Sequence, residues 1–455
     1  MTNGKLVIDG EAVPPESVGS DVERFLRELS AAGAGPGAGV VLTRDHAYAA
    51  VVTALACGRL GAPVLCQGER WRRLAPSRRI AARVGTDTSG RPEVTPVPRA
   101  GERLPEFAAT THTLLYTSGS SGEPKAVELS GHAIDYHRVT VAEHMGVDPG
   151  DRMLVPMSLL NSYGWGLLQT WSLHGFEMHV ESSLRMDRLV ALVRDGRFTT
   201  VDGVGSMYAA LLAAARGDSA LAGALGGLRY RGCGGDVLPV SLVQGYVDVV
   251  GGPVHDGYGL SETVAFVTQS LPTAWRLGTV GPLIKGSRAR VDPETGEVHL
   301  RGEGLMDGYL DDTAANAEAF TEDGWFRTGD RGSLSPDGYL SIEGRIKESL
   351  VVHGETLPPR FVEDVLTSCP LIVEAAVVGL PTGEARGDRL VAFAVVAPRD
   401  RGEALERMRA ALRRELPVHW RPREIHMVDE LPRTRTDKPD RRALRGRASA
   451  DTEAG

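Results

Sequence analysis

Residues 116–130 read YTSGSSGEPKAVELS, with two glycines and five serine or threonine hydroxyls around a single lysine, Lys125. The stretch is too polar for core and too rich in Gly and Ser for a plain strand or helix. Its chemistry suits an anion: glycines let backbone N–H groups turn toward phosphate oxygens, hydroxyls add donors, and one ammonium supplies charge. The spacing is not that of a Walker A loop, which needs Gly-Lys followed by Ser or Thr. Here Lys125 follows Pro124, stands three residues after Gly122 and precedes Ala126. Taken alone, the stretch also reads as a flexible surface loop.

Lysine itself is a signal in this chain. Of 51 basic residues only Lys5, Lys125, Lys285, Lys347 and Lys438 are lysine, and arginine fills the rest, as a GC-rich genome would produce. A chain so biased keeps lysine where a compact ammonium serves better than a planar guanidinium. Lys5 and Lys285 read as chance survivors. Lys125, Lys347 and Lys438 fall inside motif-like stretches.

The elements around these residues alternate. Short β-rich runs at 39–43, 152–157, 176–181, 199–204, 228–234 and 253–259 are separated by helical stretches, among them 131–145, 186–195 and 206–216. Such alternation predicts parallel sheet flanked by helices. From about 278 to 345 the texture changes to short strands with turn signals, as in DPETGEVHLRGEG, which suits a small barrel or antiparallel sheet. After Lys347 comes a smaller strand–helix–strand–strand–helix unit and an Arg-rich end. The fold class expected is therefore multidomain α/β. Residues 1–345 form a large N-terminal domain of parallel-rich sheets with a barrel-like subdomain, residues 346–447 a small mobile α+β domain, and residues 448–455 a disordered tail.

Bulk properties narrow the function. A net charge of −8 argues against a general nucleic-acid binder, and the longest apolar runs are too interrupted to span a bilayer. The first residues, MTNGKLVIDGEAV, lack the basic-then-apolar pattern of a secretory signal. Cys57, Cys66, Cys233 and Cys369 are scattered, without CxxC spacing, and read as reduced thiols of a cytoplasmic protein.

Five segments in order resemble the adenylate-forming superfamily of acyl- and aryl-CoA synthetases, peptide-synthetase adenylation domains and beetle luciferases. They are YTSGSSGEPK, YGLSET (258–263), WFRTGD (325–330), GRIKESLVVHGETLPPRFVEDVL (344–366) and LPRTRTDK (431–438). The resemblance covers roughly residues 110 to 445. It implies ATP as co-substrate, Mg²⁺ as cofactor, a small carboxylic acid as substrate, and CoA or a carrier-protein phosphopantetheine as acceptor.

The resemblance also implies roles for individual residues. Thr117, Ser118, Gly119, Ser120, Ser121, Gly122 and Lys125 take the β- and γ-phosphates. Tyr258, followed by Gly259, packs on adenine, Ser261 contacts the α-phosphate, and Glu262 holds Mg²⁺. A carboxylate beside a phosphate needs an intervening cation, which makes the metal role of Glu262 sensible in itself. Asp330 takes the ribose hydroxyls with help from Arg345. The segment CGGDVLP (233–239) makes Gly234, Gly235 and Asp236 candidates for the acyl pocket and adenine site. Lys438 is the catalytic lysine, Lys347 the hinge, and Gly354 the place where a pantetheine arm approaches.

The sequence departs from the family at three places. Asp437 stands where the family has glycine before the lysine. Asn161 stands in VPMSLLNSYGWG where a histidine often gates the acyl pocket. The region before the first motif, about 115 residues, is short, so the N-terminal subdomain is expected to be trimmed. No acid lies between Pro156 and Trp171 to hold an α-ammonium, which favours an aryl or short to medium aliphatic acid without an α-amine. Asn161, Ser162, Tyr163, Gly205, Ser206 and Gly234 are the candidate pocket walls. Three readings follow: an acid–thiol ligase making acyl-CoA, an adenylating enzyme serving a carrier protein or an amine, and a silent nucleotide-binding regulator. The last should have lost Lys438 or Glu262, and both are present.

Overall fold

The computed structural model describes residues 4–66, 79–97, 105–117, 125–182, 185–235, 237–353, 355–369, 371–381, 387–396, 400–434 and 438–453. Two large mixed sheets form the body. One has eight strands in the spatial order Thr268–Gln269, His255–Tyr258, Tyr230–Cys233, Thr200–Gly203, Arg152–Val155, Glu177–Val180, Leu6–Ile8, Glu11–Val13. Its six inner strands are parallel and its two edges antiparallel. The other has seven strands, in the order Gly308–Tyr309, Ala126–Ser130, Thr111–Tyr116, Val64–Cys66, Gly39–Leu42, Ile80–Thr86, Pro92–Pro96.

The inner parallel strands Gly39–Leu42 and Val64–Cys66 are buried along their whole length, which is why GVVL and VLC carry no alternation. Helices differ according to what they cover. Pro15–Ala31, with proline in its first turn, buries only the stripe Val22, Phe25 and Leu29. Ser162–His174 is buried at nine successive positions, Trp165 and Trp171 included, and takes part in the core that joins the two sheets.

Residues 288–345 form a four-stranded antiparallel sheet, Arg288–Val291, Glu297–Arg301, Phe326–Leu334 and Leu340–Arg345. Beyond it, the sheet Glu374–Pro381, Asp388–Val395, Glu424–Val428 has a core on each face. Helices Pro359–Thr367 and Arg401–Glu415 build one; helix Arg441–Glu453 builds the other through Leu444 and Ala448. That last helix corrects the expectation of a disordered tail from residue 448: chain to Glu453 is helical. RRALRGRASA has the Ala and Arg content of a helix, and its Leu444 and Ala448, one turn apart, close the sheet's second face. The four cysteines are buried and free. Among the described residues no helix is long and apolar enough to cross a membrane.

Candidate active site

Three neighbouring parallel strands, Thr200–Gly203, Tyr230–Cys233 and His255–Tyr258, end side by side. Gly205, Ser206, Gly234, Gly235 and Gly259 follow those ends directly, where open α/β sheets bind their ligands.

Tyr258 closes the third strand, and its hydroxyl donates to Asp330 Oδ2 at 2.6 Å. Asp330 Oδ1 pairs with Arg345 Nε at 2.9 Å. Asp330 and Arg345 are opposite residues of an antiparallel pair, and Thr328 fixes both: its hydroxyl accepts from the Asp330 N–H at 3.0 Å and its carbonyl from Arg345 Nη1 at 2.9 Å. Burial raises the Asp330 carboxyl, while Arg345, the Tyr258 hydroxyl and the charge of Lys438 pull it back. Lys438 is tied to Thr434 by two hydrogen bonds, Thr434 N–H to the Lys438 carbonyl at 2.7 Å and Lys438 N–H to Thr434 Oγ1 at 3.2 Å.

Glu262 lies buried in the single turn Ser261–Thr263. Val264 follows at φ 65°, ψ −65°, with Ala265 N–H donating to the Thr263 carbonyl at 2.8 Å. This is a γ-turn in the positive-φ form, strained for a β-branched residue, of the kind that collects at functional sites. The same reversal brings the Ala265 carbonyl onto Gly259, where a Cβ would overlap it, so position 259 admits only glycine.

Tyr309 joins this group to the loop. Its hydroxyl donates to Glu262 Oε1 at 2.7 Å, and Lys125 Nζ lies 4.7 Å from the centre of its ring. Burial and the Glu262 charge push the Tyr309 hydroxyl well up, so it stays a donor. Tyr309 pairs with Val127 two residues beyond Lys125. The loop's base is closed by Thr117 N–H to the Lys125 carbonyl at 3.1 Å and Lys125 N–H to Thr117 Oγ1 at 3.2 Å. Ser118, Gly119, Ser120, Ser121, Gly122, Asp236, Gly354 and Asp437 lie outside the described residues.

On the acyl side, Asn161 caps the helix it precedes, its side-chain oxygen accepting from Gly164 N–H at 2.7 Å. Tyr163 is buried, stands edge-on to Phe266 at 4.8 Å between ring centres, and donates to Asp202 Oδ1 at 2.9 Å. A Cβ on Gly234 would meet both rings. Lys347 is exposed in the short turn Ile346–Glu348 that leaves the antiparallel sheet. Beyond it, Arg441 reaches back to Glu348 at 3.2 Å and to Glu363 at 2.6 Å. Arg360 donates to the Leu238 carbonyl at 2.7 Å and to that of Ile342.

Tyr309, Asp202 and Phe266 are the residues that sequence reasoning missed. Tyr309 and Phe266 carry no chemistry-bearing spacing. Asp202 was missed because the acid was sought only near Tyr163 in sequence, whereas the sheet brings it there from 39 residues away.

Among the described residues no cluster of three or more His, Cys, Asp or Glu could hold a metal alone. Glu262, a buried carboxylate beside the phosphate-type loop, fits Mg²⁺ shared with substrate phosphates, which this ion favours over an all-protein cage.

A family profile described as AMP-binding enzyme matches residues 87–310, and that of its C-terminal domain matches residues 362–438. The chain belongs to this family, the adenylate-forming enzymes. It is 32% identical over 345 residues to the sulfoacetate–CoA ligase of Cupriavidus necator, an alignment covering 73% of this chain and 66% of that one. It is 31% identical over 342 residues to a feruloyl-CoA synthase of an Amycolatopsis species, covering 71% and 67%. The chain thus spans about two thirds of the length of these curated relatives. Its fold matches that of an amide bond synthetase from Marinactinospora thermotolerans with a TM-score of 0.81 at 24% identity, over 98% of this chain and 97% of that one.

Proposed function

We propose that this protein uses ATP to activate a carboxylic acid, aryl or short to medium aliphatic and without an α-amine, and passes the acyl group to the thiol of CoA. The observation that carries the reading is the buried Tyr258–Asp330–Arg345 cluster at the strand ends, with Glu262 held by Tyr309 under Lys125. The relatives named as CoA ligases support the choice of acceptor.

In the first step a carboxylate oxygen attacks the α-phosphorus of ATP, and the bond to the pyrophosphate oxygen breaks. Two anions must meet, so the protein's task is positioning and charge. Asp330 and Arg345 orient the ribose, Tyr258 covers the adenine, and Ser261 meets the α-phosphate. The Lys438 ammonium bridges carboxylate and phosphate as negative charge gathers between them. Lys125 and the loop clamped at Thr117 take the outer phosphates. Glu262 would hold Mg²⁺, which supplies charge neutralisation for the departing pyrophosphate. In the second step the thiol sulfur attacks the acyl carbon of the mixed anhydride, AMP leaves, and the thiol proton passes to solvent. The chain turns about Lys347 between the steps, exchanging the face that carries Lys438 for another.

Pyrophosphate release from ATP and Mg²⁺ across a panel of aryl and aliphatic acids, with and without CoA, tests the reading. Repeated turnover of one acid class only with CoA is expected. A single burst indifferent to CoA would move the acceptor to a carrier protein or an amine, and no release from any acid would remove the adenylation step itself.

A further inference from the structure

The face of the eight-stranded sheet beneath Tyr163 carries polar groups that the reaction above does not use. Asp202, Gly232 and His255 are in-register neighbours on three adjacent parallel strands, so their side-chain directions share one face. Asp202 and His255 are 0% and 1% exposed. Asp202 Oδ1 accepts from Tyr163, but Oδ2 has no partner among the described residues, nor has either ring nitrogen of His255. Gly232 lies between them, and a Cβ there would collide with Asp202 Oδ1 and the Tyr230 ring. Tyr230 in turn stacks on His255, 4.8 Å between ring centres and 12° between planes. Buried polar atoms without partners cost roughly 1–3 kcal/mol each, which a polar group that met them would recover.

Their position gives the use. One row toward the strand ends, Gly234 and Gly257 present bare backbone to Phe266 and Tyr163. Tyr258 and its Asp330–Arg345 partners stand at the end of the strand that carries His255. Asp202 is two strands away, about 10 Å at ordinary strand spacing. An acid lying along the row of Gly257 and Gly234, with its carboxylate at the Tyr258 end, would have its far end near Asp202. Burial holds the Asp202 carboxyl up to about 7 and the imidazole of His255 down to about 3, so above pH 7 a carboxylate acceptor and a neutral ring face that end.

We infer that Asp202, positioned by Tyr163 and flanked by His255, determines substrate specificity by accepting a hydrogen bond from a hydroxyl or amino group on the substrate remote from its carboxylate. This rests on the adenylation reading and narrows it. The absence of an acid near Tyr163 in sequence argued against an α-amine only. Asp202 selects a donor at the other end.

The test compares matched acids in pyrophosphate release: benzoates and short aliphatic acids bearing a remote hydroxyl, amine or methyl at the same position. Wild type should prefer a hydroxyl or amino acid over its methyl isostere by at least about tenfold in kcat/KM, mostly through KM, because a site built for a donor rejects an analogue lacking one. Asp202→Asn, with folding checked by circular dichroism, should lower that ratio and lower it more for the amine than for the hydroxyl. Asp202→Leu should turn the preference toward the methyl acid. Tyr163→Phe, which frees Oδ1 and removes a hydrogen bond that holds the carboxyl down, should keep the amine preference at pH 8 and lose part of it at pH 6.5. Methyl isosteres used as well as donors by wild type, or a ratio unchanged in Asp202→Asn, would overturn this inference alone. Absence of pyrophosphate with every acid would overturn the adenylation reading and this inference with it.

Discussion

Two buried aspartates of this protein are built alike and finished differently. Asp330 and Asp202 each take a hydrogen bond from a buried tyrosine, at 2.6 Å from Tyr258 and 2.9 Å from Tyr163. Burial raises both carboxyls. At Asp330 the second oxygen meets Arg345, so the charge is compensated within the chain. At Asp202 the second oxygen has no partner among the described residues. The difference separates two tasks. The nucleotide is the same in every turnover, so the protein can complete its half of that site in advance. A site that discriminates among acids leaves one valence for the substrate to fill, and its vacancy is the selectivity.

The largest expected effect breaks the completed side. Lys438→Ala should lower kcat for adenylation by about 10²–10³-fold, the cost of losing one oriented stabiliser of developing charge. ATP binding measured by calorimetry should stay within about twofold, since Tyr258, Asp330 and Arg345 remain in place. Retention of full pyrophosphate release would remove Lys438 from the chemistry.

Asp330→Asn comes next. It leaves Arg345 beside a neutral amide and takes an acceptor from Tyr258. Losing one partner of a fully buried pair costs 3–5 kcal/mol; Arg345 is about a third exposed, so roughly 2–3 kcal/mol is expected. ATP affinity should fall along with stability, and a variant that melted early while binding ATP normally would confine Asp330 to a structural role.

At Asp202 the same replacement should act in the opposite direction. Its carboxyl is held near 7 against an ordinary 3.8, so the folded protein binds a proton that the unfolded chain releases. Folding stability is therefore present at low pH and lost as pH rises from about 4 through 7. The full shift amounts to about 4 kcal/mol, of which an Asn amide with one unmatched group should recover roughly 2. Asp202→Asn should melt close to wild type at pH 5 and a few degrees above it at pH 8, followed by differential scanning calorimetry. An equal shift at both pH values would mean that Asp202 does not titrate in this window.

What could be read in advance divides along the same line. The strands at 200–203, 230–233 and 255–258 and the helix Gly131–Met145 were legible because burial and periodicity are local properties. The residues that the resemblance assigns to the nucleotide could be singled out because each lies in a short contiguous motif: Lys125 in its loop, Tyr258 and Glu262 four apart, Asp330 at the end of WFRTGD. Tyr309 was not, since it reaches Glu262 through a two-residue strand added at the edge of a sheet 180 residues from its partner strand. Nor was Asp202, whose meaning comes from Tyr163 above it and a glycine and a histidine on the next two strands. Such a row is written in three places and assembled only by sheet register. The C-terminal helix was misread for a related reason. Its composition is polar, and the Leu444–Ala448 pair that anchors it matters only once the sheet face it covers exists.

The smallest expected effect asks whether the completed side also depends on a residue without a motif. Tyr309→Phe keeps the ring beneath Lys125 and removes only the donor to Glu262 Oε1. A hydrogen bond to a charged group is worth about 1.5–3 kcal/mol where nothing replaces it, but water reaching the freed carboxylate oxygen should reduce the loss to about 1 kcal/mol. The apparent Mg²⁺ requirement for pyrophosphate release should then rise roughly fivefold, with kcat at saturating Mg²⁺ nearly unchanged, because the tyrosine orients the metal-binding carboxylate and does not touch the reacting atoms. A loss of kcat that added Mg²⁺ does not restore would place the Tyr309 hydroxyl against the phosphates themselves. In that case the nucleotide side, like Asp202, would keep a valence open for its substrate, and the contrast between the two aspartates would narrow to the arginine that only one of them has.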